Sequence, residues 1–142
     1  MKRKTPEDTK VFHYHDTNPK GKKTNDCVIR AISAVTNKTW DEIFIDLSNI
    51  ALKYKITMDD SKCFERYLKQ LGFVKHKALR KADNTRYTGR EFCEIIPNEI
   101  KELSNNIIAN IGSHHITAII KGKIYDTWDC SDRKIGNYWT LG

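Results

Sequence analysis

The sequence lacks any long apolar run. Its hydrophobic stretches are only a few residues long, whereas a helix needs about 20 consecutive apolar residues to cross a bilayer. The basic N-terminus is not followed by the apolar segment that a secretory signal requires. From these two absences we expect no membrane association and a cytoplasmic location.

Closely spaced cysteines are also missing. The sequence has four cysteines, which are far apart: Cys27, Cys63, Cys93 and Cys130. A structural zinc site usually takes paired ligands a few residues apart. The nearest such pair is His13 and His15, and no cysteine lies close behind it. We therefore predict reduced, free thiols and neither a metal site nor another cofactor.

Internal repeats, low-complexity runs and long linkers are absent as well. The chain has 142 residues, of which 39% are hydrophobic and 30% charged, a balance typical of a globular chain rather than a disordered one. We predict one domain over residues 1–142. Residues 1–10 are polar and charged, so we expect them to form a mobile tail.

Positive charge is in excess, with a net charge of +7. Many of the basic residues lie near the N-terminus, at 2–4 and at Lys20, Lys22 and Lys23. Such a segment can contact nucleic acid or an acidic partner. No recognition helix or aromatic RNA-binding signature accompanies it, so we favour the alternative that the charge serves solubility.

The first predicted helix is the most informative one. Asn25 and Asp26 are good N-cap residues, and the segment from Cys27 to Val35 is apolar on almost every side. A helix of this kind is buried. The pattern therefore predicts a buried helix that carries Cys27 at its N-terminal end.

Three further helices follow from capping residues and helical spacing of apolar side chains. Their predicted starts are at Thr39, Asp60 and Thr88. The residue pattern in the C-terminal third is typical of β-strands, which we predict at 107–111, 115–120, 123–128 and 135–139. A short strand is also predicted at 11–15. The fold class is therefore α+β, with a helical half first and an antiparallel sheet second.

The register of the central hairpin decides which side chains meet. If residues 121–122 form a two-residue turn, Thr117 pairs with Asp126 and His115 pairs with Trp128. Side chains alternate by two along a strand, so these four share one face. Asp126 is then the diagonal neighbour of His115, within reach of a hydrogen bond, and Trp128 can keep water off that contact.

These residues predict a cysteine nucleophile. A thiol becomes a thiolate most readily at a helix N-terminus beside an imidazolium, and the histidine needs an acceptor that orients it. The sequence offers Cys27, His115 and Asp126 for these three roles. His114 is the alternative base, and Asp129 is the alternative acceptor. A lone cysteine is more often a structural residue, but the helix start and the downstream histidine and carboxylate favour catalysis.

The chain order of these residues resembles the papain-like cysteine peptidase superfamily. Asp126-Thr127-Trp128 is similar to that superfamily's Asn-Ser-Trp element, whose first residue orients the histidine and whose tryptophan covers the bond. The segment 26–31 is similar to the cysteine motifs of ovarian-tumour-type deubiquitinases and of bacteriocin-processing peptidases. Residues 18–27 and 115–129 together resemble a group of small uncharacterised proteins of phages and Gram-positive bacteria. The resemblance implies a papain-like fold.

One position departs from the papain-like pattern. Those enzymes usually carry a glutamine six residues before the cysteine, which donates to the oxyanion, and here that position is Gly21. Asn25 or Asn18 can replace it, together with the backbone N–H of Cys27. Asp26 supports the same helix start. Arg30 is a candidate partner for Asp26 or for another carboxylate near the site, and the alternative is a solvated helix residue.

Two functions follow as expectations. The first is cysteine-dependent hydrolysis of an amide in a protein or peptide substrate, or transfer of the acyl group to an amine. The second is a catalytically weak binding protein with a papain-like fold, of phage or bacterial origin, that acts on a host protein or nucleic acid. The Gly21 departure favours the second.

Overall fold

A computed structural model of the chain describes residues 5–99 and 106–141, without the side chains of 96–99. Within these ranges the protein is α+β, as predicted. The helices are α1 (Cys27–Val35), α2 (Trp40–Tyr54), α3 (Ser61–Gln70) and α4 (Gly89–Glu99). The strands are β1 (Phe12–Tyr14), β2 (Phe73–His76), β3 (Ile107–Ile111), β4 (His115–Ile120), β5 (Lys123–Asp126) and β6 (Ile135–Leu141).

The strands form one sheet in the order β1-β5-β4-β3-β6-β2. The C-terminal strands β3 to β6 pair antiparallel, as predicted, but the whole sheet is mixed, because β1 runs parallel to β5. A parallel pair needs a long connection, and the chain between β1 and β5 contains the helical half as well as β2, β3 and β4. The other edge strand, β2, also comes from the helical half and was not predicted from the sequence.

Because side chains alternate along the central strands, the two faces of the sheet contribute to two different apolar clusters. Ile108 and Ile116 pack toward α1, α2 and α3. Ile107 and Ile119 pack with Phe92 of α4 in the second cluster. Cys27 packs against the first cluster, and Cys130 belongs to the second.

The first helix begins at Cys27, as predicted. Only Ile29, Ala31 and Ile32 of its nine residues are fully buried, and the others are half-buried. The helix packs on β4, and its N-terminal end reaches the strand ends that carry His115 and Asp126. The position of α1 therefore brings residues about a hundred positions apart into contact.

Residues 1–4 of the predicted tail lie outside the described residues. Farther along, the Asp8 carboxylate accepts a hydrogen bond from the backbone N–H of Tyr14 at 2.8 Å and lies 2.6 Å from Nδ1 of His13.

Among residues 5–99 and 106–141, no helix has both the length and the apolar character that crossing a bilayer requires.

Candidate active site

The β4–β5 hairpin has the predicted register. Lys121 and Gly122 both have positive φ, 50° and 75°, which is typical of a two-residue hairpin turn. Ile120 pairs with Lys123, and the ladder continues to Ala118 and Tyr125. The next diagonal pair outward is His115 and Asp126, and Nε2 of the imidazole lies 2.6 Å from Oδ2 of the carboxylate.

The indole of Trp128 lies over the histidine. The two ring centroids are 5.0 Å apart, and the rings are tilted by 53°. Trp128 lies beyond the end of β5, so its position follows from the loop after the strand rather than from ladder pairing. His115 is half-buried and Asp126 is 2% exposed, so little water reaches the bond between them.

Both oxygens of Asp126 are fully engaged. Oδ2 accepts from the Thr117 hydroxyl at 2.6 Å as well as from His115, and Oδ1 accepts from Nη1 of Arg30 at 2.8 Å and from the backbone N–H of Thr127 at 2.7 Å. Burial alone raises the pKa of this carboxyl, but the hydrogen bonds and the positive charges outweigh burial and lower it. Asp126 is therefore ionised and fixed in orientation.

Arg30 connects this carboxylate to a second one. Its Nε donates to Oδ1 of Asp26 at 2.8 Å while its Nη1 donates to Asp126, and the arginine side chain is only 13% exposed. Asp26 also accepts from Nε1 of Trp40 at 2.9 Å and from Nδ2 of Asn18 at 3.1 Å. The largely buried guanidinium of Arg30 therefore links the start of α1 to Asp126, which is the acceptor of the histidine.

This arrangement leaves the N-terminus of α1 without a side-chain cap. Asp26 occupies the N-cap position, yet its side chain makes no capping hydrogen bond, because it is turned toward its three donors. The first helical hydrogen bond is that of the Arg30 N–H to the Asp26 carbonyl. The preceding N–H groups, including that of Cys27, have no helical acceptor and can serve an anion.

The thiol of Cys27 lies at this uncapped end. Burial acts to raise its pKa, but the neighbouring His115 side chain, the backbone N–H of Ile116, and the positive charges of His115 and Arg30 together lower it. A thiol with a lowered pKa carries more thiolate at neutral pH. Of the four cysteines, Cys27 is the one whose pKa is lowered, whereas burial raises the pKa of each of the other three.

The imidazole of His115 is the complementary partner. Burial alone lowers its pKa, but the hydrogen bond and charge of Asp126 and the contacts with Cys130 and Cys27 raise it overall. Because Nε2 is taken by Asp126, Nδ1 is the ring nitrogen left for the thiol. The lowered pKa of Cys27 and the raised pKa of His115 agree with a thiolate–imidazolium pair between the two residues.

The alternatives that the sequence left open occupy other positions. His114 is exposed in the turn before β4, and Asp126 contacts His115 rather than His114. Asp129 accepts from the backbone N–H of Ser131 at 3.0 Å. Asn25 is exposed and lines the cleft beside Cys27.

Asn18 is not available as an oxyanion donor. Its amide nitrogen donates both to Asp26 and to the carbonyl of Lys22. These two hydrogen bonds use both amide hydrogens. Of the two asparagines, Asn25 is the one left beside the cysteine.

The sequence did not predict the contacts that three neighbours of the site make. Arg30 was considered as a partner for Asp26 or for another carboxylate near the site, but not as a bridge between Asp26 and Asp126, which is 96 residues from the arginine. Thr117 was placed on the correct face without a role. The sulfur of Cys130 lies 3.9 Å from Oδ2 of Asp126, and burial raises the pKa of this thiol. In the sequence, the only indication of this contact is that Cys130 follows Asp126 by four residues.

His115, Asp126 and Cys130 also form a group of potential metal ligands. Their donor atoms all lie within 4.8 Å of one another. Two ligands of a tetrahedral zinc with bonds of about 2.0–2.1 Å lie about 3.3 Å apart, whereas the nitrogen and oxygen here are 2.6 Å apart. This short separation is typical of a shared proton, not of two ligands on one ion.

A cleft of about 580 Å³ opens beside the cysteine. Cys27, Asn25 and His114 lie along one part of it, and residues of α2, α3, the segment between them, β3 and β4 line other parts. The cleft is large enough for one or two amino-acid side chains of a ligand.

No family model matches the sequence, and neither a curated protein nor a solved structure matches the chain.

Proposed function

We propose that the chain is a papain-like thiol hydrolase of amide bonds, with Cys27 as nucleophile, His115 as acid and base, and Asp126 as the acceptor that orients the histidine. The observation that carries the proposal is the 2.6 Å contact between His115 and Asp126 on the hairpin that faces Cys27 at the uncapped start of α1. This combination supplies an activated thiol and an oriented imidazolium.

The acylation step follows from these positions. The Cys27 thiolate attacks the carbonyl carbon of an amide, a C–S bond forms, and an electron pair moves to the carbonyl oxygen. Backbone N–H groups at the start of α1 and the amide of Asn25 stabilise that oxyanion. When the intermediate collapses, the C–N bond breaks and His115 gives its proton to the departing amine.

Deacylation restores the starting state. Water attacks the thioester carbon while His115 removes a proton from the water. The C–S bond then breaks, which releases a carboxylic acid and the Cys27 thiolate. If an amine takes the place of water, the same steps give a new amide, and the protein acts as a transamidase. Arg30 and Thr117 hold Asp126 in place throughout.

The second candidate is a binding protein that has kept this arrangement without efficient turnover. It is favoured by Gly21, which stands where papain-like enzymes usually have an oxyanion-donating glutamine. Loss of one such donor typically costs about 10²–10³ in rate. The lysines at 20, 22 and 23 are exposed and supply positive charge for an acidic protein or nucleic acid.

A peptide-library experiment separates the two functions. We expect the protein to generate new peptide termini from a complex peptide mixture, and Cys27→Ala to generate none, because the sulfur forms the covalent intermediate. Mass spectrometry detects the products, and an added primary amine reports transamidation as a mass increase on the acyl fragment. Identical product profiles for both proteins, with circular dichroism confirming that both are folded, would favour the binding protein.

A further inference from the structure

Three basic residues, Arg86, Arg133 and Lys134, lie together where β3 ends and β6 begins. The backbone N–H of Gly89 donates to the carbonyl of Arg133 at 2.8 Å, and Nζ of Lys134 donates to the carbonyl of Arg86 at 3.2 Å. These contacts join the segment before α4 to the segment before β6. We call the three residues the basic rim.

The guanidinium of Arg86 lies at the edge of the cleft. Asn110 of β3 lines the cleft. Nη1 of Arg86 and Oδ1 of Asn110 lie 3.6 and 3.5 Å from the position that a Cβ of Gly136 would occupy. Because Gly136 has no side chain to separate them, the guanidinium and the asparagine amide are close neighbours on one face of β6.

The other members of the basic rim adjoin the turn between β3 and β4. The backbone N–H of Gly112 donates to the carbonyl of Lys134 at 2.9 Å, and Cγ of Arg133 lies 3.9 Å from the position of a Cβ on Gly112. The next two residues, Ser113 and His114, line the cleft and lead directly into His115. The basic rim is therefore continuous with the part of the cleft nearest the histidine.

The positive charge of the basic rim is not balanced. Among residues 5–99 and 106–141, none of the ion pairs includes a member of the rim. Glu91, in the first turn of α4, is paired with Lys81. Two members of the rim are exposed and Arg86 is half-buried, so positive charge remains in excess even when the exposed Asp132 is counted. Such a surface attracts an anionic ligand.

We propose that the basic rim binds an acidic stretch of a peptide whose neighbouring residues occupy the cleft at Cys27. The inference rests on the proposed function and adds a substrate class to it, namely peptides rich in glutamate or aspartate. A guanidinium matches a carboxylate with two parallel hydrogen bonds, so Arg86 and Arg133 are the expected determinants.

The groups beside the basic rim favour a peptide over a nucleic acid. Proteins that bind single strands combine positive charge with aromatic side chains on which the bases stack. The cleft residues that adjoin the rim, Asn110 and Ser113, offer an amide and a hydroxyl instead. These groups suit the polar backbone of an extended peptide.

Fluorescence anisotropy measures this binding without a known substrate. The protein is the full chain with Cys27→Ala, which prevents turnover. The probes are two fluorescein-labelled peptides of equal length, one of alternating alanine and glutamate and the other of alternating alanine and glutamine. At low ionic strength we expect the glutamate peptide to bind about tenfold more tightly, as for two exposed charge pairs. Added salt should reduce the difference, because it screens exposed charges.

Two double variants locate the effect. Arg86→Gln with Arg133→Gln should weaken binding of the glutamate peptide about fivefold or more and leave the glutamine peptide unchanged. The matched control, Lys53→Gln with Lys69→Gln, removes the same charge from exposed positions outside the basic rim and the cleft, and should change either affinity less than about twofold. Circular dichroism checks folding, and Arg133→Gln alone should give a smaller loss in the same direction.

Protection of the thiol shows whether the bound peptide reaches the cleft. In the wild-type protein, a saturating concentration of the glutamate peptide should slow iodoacetamide labelling of Cys27 several-fold. The glutamine peptide at the same concentration should leave the labelling rate unchanged.

The outcomes separate this inference from the function on which it rests. Equal affinities for the two peptides, equal losses in the two double variants, or binding that does not protect Cys27 would each overturn the inference and leave the thiol chemistry in place. Tighter binding of a single-stranded oligonucleotide of equal charge, lost in the Arg86 and Arg133 double variant, would also overturn it in favour of nucleic acid. Slow labelling of Cys27 without peptide near neutral pH would overturn the proposed chemistry, while the anisotropy still decides whether the basic rim binds acidic peptides.

Discussion

Replacement of His115 by alanine is expected to slow iodoacetamide alkylation of Cys27 at pH 6 by about two orders of magnitude. Burial raises the pKa of the thiol, but the neighbouring histidine and its positive charge lower it. A thiol without such help has a pKa of about 8.5, so only about 0.3% of it is thiolate at pH 6. Rates are measured by mass spectrometry of the Cys27 peptide.

The matched control is His114→Ala. The two histidines are adjacent in sequence, but His115 contacts Asp126 and His114 is exposed in the turn before β4. We expect His114→Ala to change the alkylation rate by less than about threefold. Equal slowing by the two substitutions would contradict the assignment of His115 as the partner of the thiol.

Replacement of Arg30 by methionine is expected to lower the free energy of unfolding by about 3–5 kcal/mol. The substitution leaves the carboxylates of Asp26 and Asp126 buried, with exposures of 4% and 2%, and without the guanidinium that pairs with both. Removal of one partner from a buried ion pair typically costs this amount, because the remaining charge is uncompensated. Urea unfolding at pH 7, followed by circular dichroism, measures it.

Arg133→Met provides the comparison for this variant. Arg133 is exposed, and exposed substitutions usually change stability by no more than about 0.5 kcal/mol. A loss for Arg30→Met as small as that for Arg133→Met would show that the Asp26–Arg30–Asp126 bridge contributes little to the folded state.

The hairpin that positions the site was predictable because its determinants are local. The two-residue turn at Lys121 and Gly122 sets the register, and side-chain alternation then places His115 and Asp126 on one face. The same local signals predicted α1 and its start at Cys27. The contact between the two segments was inferred from chemistry, since a thiolate needs a histidine that the helix does not supply.

The bridge through Arg30 was not predictable in the same way. The arginine and Asp126 are 96 residues apart, and nothing in either segment specifies their contact. The absence of a capping hydrogen bond from the Asp26 side chain also results from contacts between distant parts of the sequence. An aspartate at an N-cap position is expected to accept from the helix N–H groups, but here tertiary donors from Trp40 and Asn18 compete successfully for its carboxylate.

The sheet edges were the least predictable part of the fold. β2 is a four-residue strand with two exposed side chains, too short for alternation to identify it. β1 was expected as a strand, but its parallel pairing with β5 depends on the path of the chain through the helical half. Strand direction is a property of topology, and no pattern within Phe12–Tyr14 encodes it.

The pH dependence of cysteine labelling tests the central claim most directly. Burial raises the pKa of Cys63 and of Cys130, and it raises that of Cys93 to about 12, whereas Cys27 has a lowered pKa. A lowered thiol pKa means that the reactive thiolate forms at lower pH. In iodoacetamide labelling of the folded protein from pH 5 to 10, Cys27 should therefore label fastest, with a half-maximal rate below pH 8.5. Faster labelling of another cysteine at pH 6, or a Cys27 rate that rises only above pH 8.5, would contradict the account.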